Sequence, residues 1–317
     1  MKPVFKYSSE AHDAFYPFTQ TRKIEDIRIG ILTIREKWEY LNVAEEIDPL
    51  VLPGIINPSE TKKLNSLIDI TQLNDWSIRQ DFALITDNRK SQPISFTNKT
   101  ISPENIFIEA GAKVEHSIIN ASAGPVYIGK NAEVMEGCMI RGPFALCEGS
   151  VLKMGTKVYA ATTIGPFCLG GGEIKNSVIF GHSNKAHDGY LGDSVIGEWC
   201  NLGAGTSNSN VKNTAGIVKL WDNAKKEYQP AGLKCGLMMG DYSRAAINTS
   251  FNTGTVVGVC CNIFGEGFPP KYIPDFTWGK EKYSFEKALQ DIDNWKKLKG
   301  KNITTGEKEI LKSLYNK

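Results

Sequence analysis

Residues 128–168 read IGKNAEVMEGCMIRGPFALCEGSVLKMGTKVYAATTIGPFC. Within them Ile128, Val134, Ile140, Leu146, Leu152, Val158 and Ile164 recur at an unbroken spacing of six. Four residues after each stand Ala132, Cys138, Phe144, Ser150, Thr156, Thr162 and Cys168, most of them small. A helix would place apolar residues three and four apart, and a half-buried strand would alternate by two. A strict six predicts a hexapeptide-repeat parallel β-helix, in which three short strands close one triangular coil. The aliphatic residue points into the prism and the small one sits near a corner. A single coil cannot bury its own apolar edge, so the coils stabilise one another by stacking.

Outward from this tract the period loosens. It begins raggedly at Ile108 and Val114, is interrupted around GGGEIKN (170–176), and resumes at Ile196 and Leu202. Met239, Ile247 and Val257 suggest further coils. Residues 207–236 break the repeat and predict a loop insertion projecting from one edge, with a hairpin around Asp222 and Asn223. Upstream, Ile31, Leu32, Ile34, Trp38 and Leu41 suit one amphipathic helix. Downstream, GFPPKYIPDFTWG (267–279) reads as an exit from the prism, and residues 283–317 as two helices around Gly300–Thr305. The expected organisation is mainly β. It comprises a small α/β N-terminal region (1–100), a β-helix (101–268) and a C-terminal helical extension (269–317).

Composition narrows the function classes. Lys and Arg total 37 against 35 Asp and Glu, a net charge of +2, which gives no support to a nucleic-acid binder. No apolar run of about 18 residues offers a membrane span, and the N-terminal MKPVFKYSSEAHDAF lacks the apolar stretch of a secretory signal. The seven cysteines include no CxxC, so neither a disulfide framework nor a zinc knuckle is expected; a cytoplasmic setting and no metal are. Cys138, Cys168 and Cys200 read as core packing.

Histidine is scarce, four in the whole chain, yet one lies in NKAHDGYLGDSVIGEWCNLGAGT (184–206) close to Lys185 and Tyr190. This stretch resembles the acetyltransferase domain of the bifunctional N-acetylglucosamine-1-phosphate uridyltransferase/glucosamine-1-phosphate acetyltransferase family, over roughly residues 105–265. The resemblance implies a left-handed β-helix, a homotrimer, acetyl-CoA as acyl donor in a cleft between subunits, and an amino-sugar phosphate as acceptor. It implies His187 as catalytic base and Asn201 near the reacting amine. It also implies Lys175, Tyr190, Asn210 and Lys219 as substrate contacts, with Lys219 in a loop that is longer here. Two departures stand out. GPFALCEG (142–149) has no arginine where the family holds the sugar phosphate, although Arg141 and Lys153 are near, and Ile247 falls where the family has a serine toward the donor. YPFTQTRKIEDIRIGILTIREKWE (16–39) resembles a segment of sugar-1-phosphate nucleotidyltransferases, but no glycine precedes Gly30, so the phosphate-cradling loop is missing from the sequence.

An imidazole with an ordinary pKa near ~6.5 can take a proton from an attacking amine at neutral pH. The rival reading of His187 is a surface residue at a coil corner, and of Lys175 a solvated cation. Tyr190, six before Ile196, also fits the core, and Asn201 and Asn210 also fit an asparagine ladder or turns. His182 reads as structural or exposed. Arg22, Lys23, Arg28 and Arg35 alternate with acids, which predicts a solvated face over an anion site. Three functions follow: N-acetyl transfer, a non-catalytic scaffold or sugar-binding protein, and nucleotidyl transfer.

Overall fold

A computed structural model describes residues 3–43 and 45–317. Its centre is a parallel β-helix whose three faces carry ten, six and nine strands. On each face the strands pair in register one coil apart, as Glu133–Val134 does with Lys113–Val114 below and Val151–Leu152 above. All seven aliphatic residues of the period-six tract are buried in one continuous core, joined by Ile108, Ile119, Leu202, Met239, Val257 and Ile263. A buried aliphatic side chain contributes roughly 1.5–3 kcal/mol, and here each column supplies one from every coil.

The position four residues later is buried too, and its chemistry has a reason. Ser150 Oγ donates to Gly165 O at 2.6 Å and accepts from Cys168 N at 2.9 Å. Thr156 and Thr162 hydroxyls donate to Lys153 O and Tyr159 O. A small side chain with a donor satisfies a corner carbonyl that no strand reaches. Cys138, Cys168 and Cys200 share this role, with Cys168 Sγ 2.7 Å from Phe180 O. All seven cysteines are buried and unpaired.

One corner turns through the left-handed region in successive coils: Asn131, Gly149, Phe167, His182, Trp199, Tyr242, Cys260 and Phe276 have φ between 54° and 64°. Such a conformation is uncommon outside glycine. Here stacking helps to hold it, because His182 lies between Phe167 and Trp199 with ring centroids 5.2 and 4.2 Å away.

GGGEIKN does not break the prism. The inward positions run Ile164, Gly170, Ile174, Ile179, so the corners shorten while strands Leu169–Gly170 and Glu173–Lys175 keep their register. Gly171 and Gly172 allow this, since a Cβ on either would strike the backbone of residues 186–189. The insertion also differs from expectation. Ser207–Asn208 still pairs with Ser250–Phe251, and the excursion begins after it. Its hairpin, Lys219–Asp222 with Glu227–Pro230, does not project freely. Val218, Leu220 and Cys235 are buried against Phe15, Phe18 and Ile24 of the N-terminal region.

The N-terminal region covers the nine-strand face. The expected single helix from Ile31 starts only at Ile34, capped reciprocally by Thr33 and Glu36. Ile31 and Leu32 cannot join it, because Asp81 Oδ2 accepts both their N–H groups, at 2.8 and 3.0 Å. Asp81 comes from the helix Asn74–Thr86 and also pairs with the buried Lys37. Of the basic residues of this region, Lys23 is exposed as expected, but the three arginines bond internally. Arg22 is buried against Asp241 and Phe180, Arg28 donates to Ile31 O, and Arg35 pairs with Glu25 and Asp26. At the other end, helices Phe285–Lys297 and Thr305–Tyr315 pack over Trp199, Tyr242, Cys260 and Phe276. No described helix is long and apolar enough to cross a membrane.

Candidate active site

Lys185 occupies an inward position of the prism, where every other coil of this tract places a small or apolar side chain. It is 2% exposed. The residue in register one coil below is Gly170, whose missing side chain leaves the space: a Cβ there would lie 2.6 Å from Ile164 Cδ1 and 3.0 Å from Leu152 Cδ2. Ile164, Leu152 and Ile174 close in on that space, and the Lys185 ammonium turns back to the corner. Nζ donates to Gly171 O at 3.2 Å and to His187 O. Burial lowers its pKa to about 8, against a partly opposing effect of Asp188. Lys185 therefore anchors from inside the corner that carries His187.

His187 itself is exposed on that corner, between the ten-strand and six-strand faces. Asp188, beside it, is also exposed; its carbonyl accepts from Gly205 N at 3.0 Å. Three residues on, Tyr190 opens the strand Tyr190–Gly192 and points outward, half-buried, while Leu191 takes the core position. The Tyr190 ring folds over Gly192, where a Cβ would collide with its hydroxyl. Asn210 Nδ2 donates to Tyr190 Oη at 3.1 Å and to Asp193 Oδ2. Asn176 Nδ2 donates to Asp193 Oδ1 at 2.6 Å. Burial, then the Asp193 charge, pushes the Tyr190 phenol up to about 12, so it stays a neutral hydrogen-bonding group at physiological pH. Asn208, buried, closes the set by bonding both the N–H and the C=O of Gly192.

Lys175 shares this outer face. It is in register with Gly192, and its Nζ lies 6.0 Å from the Tyr159 ring centroid. Arg141 stands farther down the same face, exposed, in register with Asn120. The structure thus brings Tyr190 and Asn210 together over Gly192, with Lys175 in register with Gly192 on the same face, while His187 stands at the corner where that strand begins.

Two residues stand apart. Asn201 lies on the ten-strand face in register with Asn184, whose Nδ2 is 3.5 Å from Asn201 Oδ1, an asparagine ladder. Asn184 precedes His187 by three residues on an extended strand, so the Asn201 amide is not beside the imidazole. Lys219 lies on the insertion hairpin, packed against the nine-strand face; its carbonyl accepts from Lys271 at 2.9 Å. The longer insertion has carried it to another side of the prism. Asp193 and Asn208 escaped sequence reading, because an Asp after glycine and an Asn in a polar run carry no motif. Lys185 had a signal: it sits six before Leu191, on the core period. Among the described residues no group of three His, Cys, Asp or Glu is placed to hold a metal ion.

The chain is similar in sequence to known proteins. Residues 5–53 match a sugar nucleotidyl transferase family model. The bifunctional protein GlmU of Bartonella quintana is 30% identical over 216 residues, covering 60% of this chain and 46% of that protein. GlmU of Methanocaldococcus jannaschii is 37% identical over 89 residues, 28% of this chain and 21% of that one. A crystal structure of the polySia-specific acetyltransferase NeuO aligns over 57% of this chain and 77% of that one, at 12% identity and a TM-score of 0.27. The chain spans less than half the length of these GlmU relatives. By its repeat the chain is a hexapeptide-repeat β-helix protein, and in sequence it is similar to GlmU.

Proposed function

We propose that the chain is an acyl-CoA-dependent N-acetyltransferase acting on an amino-sugar phosphate of the glucosamine-1-phosphate kind. The observation that carries the reading is the exposed His187 at a coil corner, its backbone tethered by the buried Lys185, at the start of the strand that carries Tyr190. In this reading the acceptor nitrogen forms a bond to the thioester carbonyl carbon while the C–S bond breaks. His187 takes the proton from that nitrogen and returns it to the departing thiolate. Lys175 meets the sugar phosphate, and Tyr190 and Asn210 meet its hydroxyls. Asn201 orients the acetyl oxygen only if a substrate bridges it to His187. The resemblance supplies the trimer, with the donor lying between subunits.

Incubation with acetyl-CoA and glucosamine-1-phosphate should release free thiol. His187→Ala should lower that rate by about 10²–10⁴, the usual contribution of a general base. Unchanged turnover in the variant would remove His187 from the reaction. The scaffold or sugar-binding reading is favoured by one feature, the engagement of Asn201 in its ladder. It predicts no thiol release but a rise in unfolding temperature with the sugar phosphate. Nucleotidyl transfer rests on the match at residues 5–53. The internal bonding of Arg22, Arg28 and Arg35 counts against it, and UDP-, dTDP- and GDP-sugars should leave the unfolding temperature unmoved.

A further inference from the structure

Arg244 stands on the ten-strand face, in register between Asn201 and Asn262, and is 7% exposed. The helix Phe285–Lys297 covers it, and Trp295 stacks on the guanidinium with 5.5 Å between Cζ and the ring centroid. That stacking occupies a face of the guanidinium plane and none of its in-plane N–H groups. Nε and Nη2 are both buried and have no hydrogen-bond partner. These two atoms form one edge of the guanidinium, the edge that grips an oxyanion with two parallel bonds. Burial without a counter-ion lowers the Arg244 pKa, and a buried charge is costly unless it is paired.

The nearby carboxylates are engaged elsewhere. Asp291 accepts from the Tyr283 hydroxyl, and Glu307 pairs with Lys296 and accepts from Tyr242. Arg244 makes no ion pair among the described residues. Two lysines serve other parts of this side: Lys296 lies over Trp199 and pairs with Glu307, and Lys299 holds Asn184 Oδ1 at 2.9 Å, two coils below Arg244 in the same column.

We propose that Arg244, with the flanking amides of Asn201 and Asn262, binds a phosphate group between the prism and the C-terminal helix. The guanidinium edge takes two phosphate oxygens, and an amide N–H₂ is available for a third, which a carboxylate lacks. Asn201 and Asn262 on either side of Arg244 are half-buried. The site does not depend on acetyl transfer. Assigning its phosphate to an acyl donor or a sugar acceptor does rest on the proposed function.

The test titrates inorganic phosphate against chloride at constant ionic strength and follows the unfolding temperature of the full chain. The wild type should show a saturable rise. Arg244→Met should abolish it, and Arg244→Lys, which keeps the charge but loses the paired edge, should weaken apparent binding about tenfold or more. If the Met variant does not fold, the Lys variant carries the comparison. No saturable rise in the wild type, or an undiminished one in either variant, overturns the proposal; the first outcome means that water alone meets the guanidinium. Competition then finds the source. Displacement by CoA but not by 3′-dephospho-CoA assigns the site to the donor. Displacement by glucosamine-1-phosphate but not by glucosamine assigns it to the acceptor. Neither competition requires turnover, so a chain that binds phosphate here yet transfers no acetyl group would refute the proposed function and leave this site standing.

Discussion

A lysine inside a β-helix is a thermodynamic oddity with a readable consequence. The folded-state pKa of Lys185, about 8, lies below its ordinary 10.5. Between those values the unfolded chain binds more protons than the folded one, so stability should rise with pH across that window. Below about pH 8 the burial cost is present in full, on the order of 3 kcal/mol at 1.36 kcal/mol per pKa unit. Urea unfolding of wild type and Lys185→Met at pH 7, 8.5 and 10 should show a slope in the first and none from this group in the second. His182 acts in the same sense at lower pH. Burial, then the charges of Lys301 and Lys299, lowers its pKa to about 4 from 6.5. Its contribution is complete above about pH 6.5 and is lost as pH falls through 4. Because the ring is only half-buried, solvent screening cuts the effect to about 1–2 kcal/mol. An NMR titration in which the His182 ring protons moved with a midpoint near 6.5 would contradict the stacked arrangement.

Within a single coil, stability is set by what fills the prism. Leu152 is fully buried between the coils above and below. Leu152→Ala should cost about 2–5 kcal/mol through lost burial and a cavity that rigid stacked coils cannot collapse. A loss under 1 kcal/mol in chemical denaturation would argue against the packed interior. Gly170 makes the opposite demonstration. Gly170→Leu restores an aliphatic to the column but drives it into Ile164 and Leu152, and the strain passes to the coil in register above, which carries Lys185. The expected result is higher hydrogen exchange at residues 186–189 with the core strands still protected.

Across the whole molecule, the prism is joined to its N-terminal region by buried charge as well as apolar packing. Arg22 meets Asp241, with Glu198 at 3.8 Å, and Thr21 adds a hydroxyl at 2.5 Å to the same carboxylate. Arg22→Met strands Asp241 in a dry site, and breaking one partner of such a pair costs about 3–5 kcal/mol. Protease sensitivity of residues 3–43 should increase sharply in that variant while the β-helix stays resistant. If the region instead stays protected, apolar packing by Phe15, Phe18 and Ile24 holds it alone.

The prism was legible in the sequence because its interior repeats a local rule: one inward aliphatic and one corner donor per hexapeptide, written in consecutive residues. His187, Tyr190 and Asn210 were named instead through the resemblance of residues 184–206 and their sequel to a known family. Period alone says nothing of the hand of the coil or of what lies between distant segments. The tertiary structure decided that Lys185 is buried in register above Gly170, that Asn201 joins Asn184, that the hairpin takes Lys219 to another face, and that Trp295 closes over Arg244. Each of these depends on which chain segments meet across a coil or across an insertion. Hydrogen bonding and desolvation act through space, so a residue's partners, and with them its charge state and its role, are settled only once the coils have stacked.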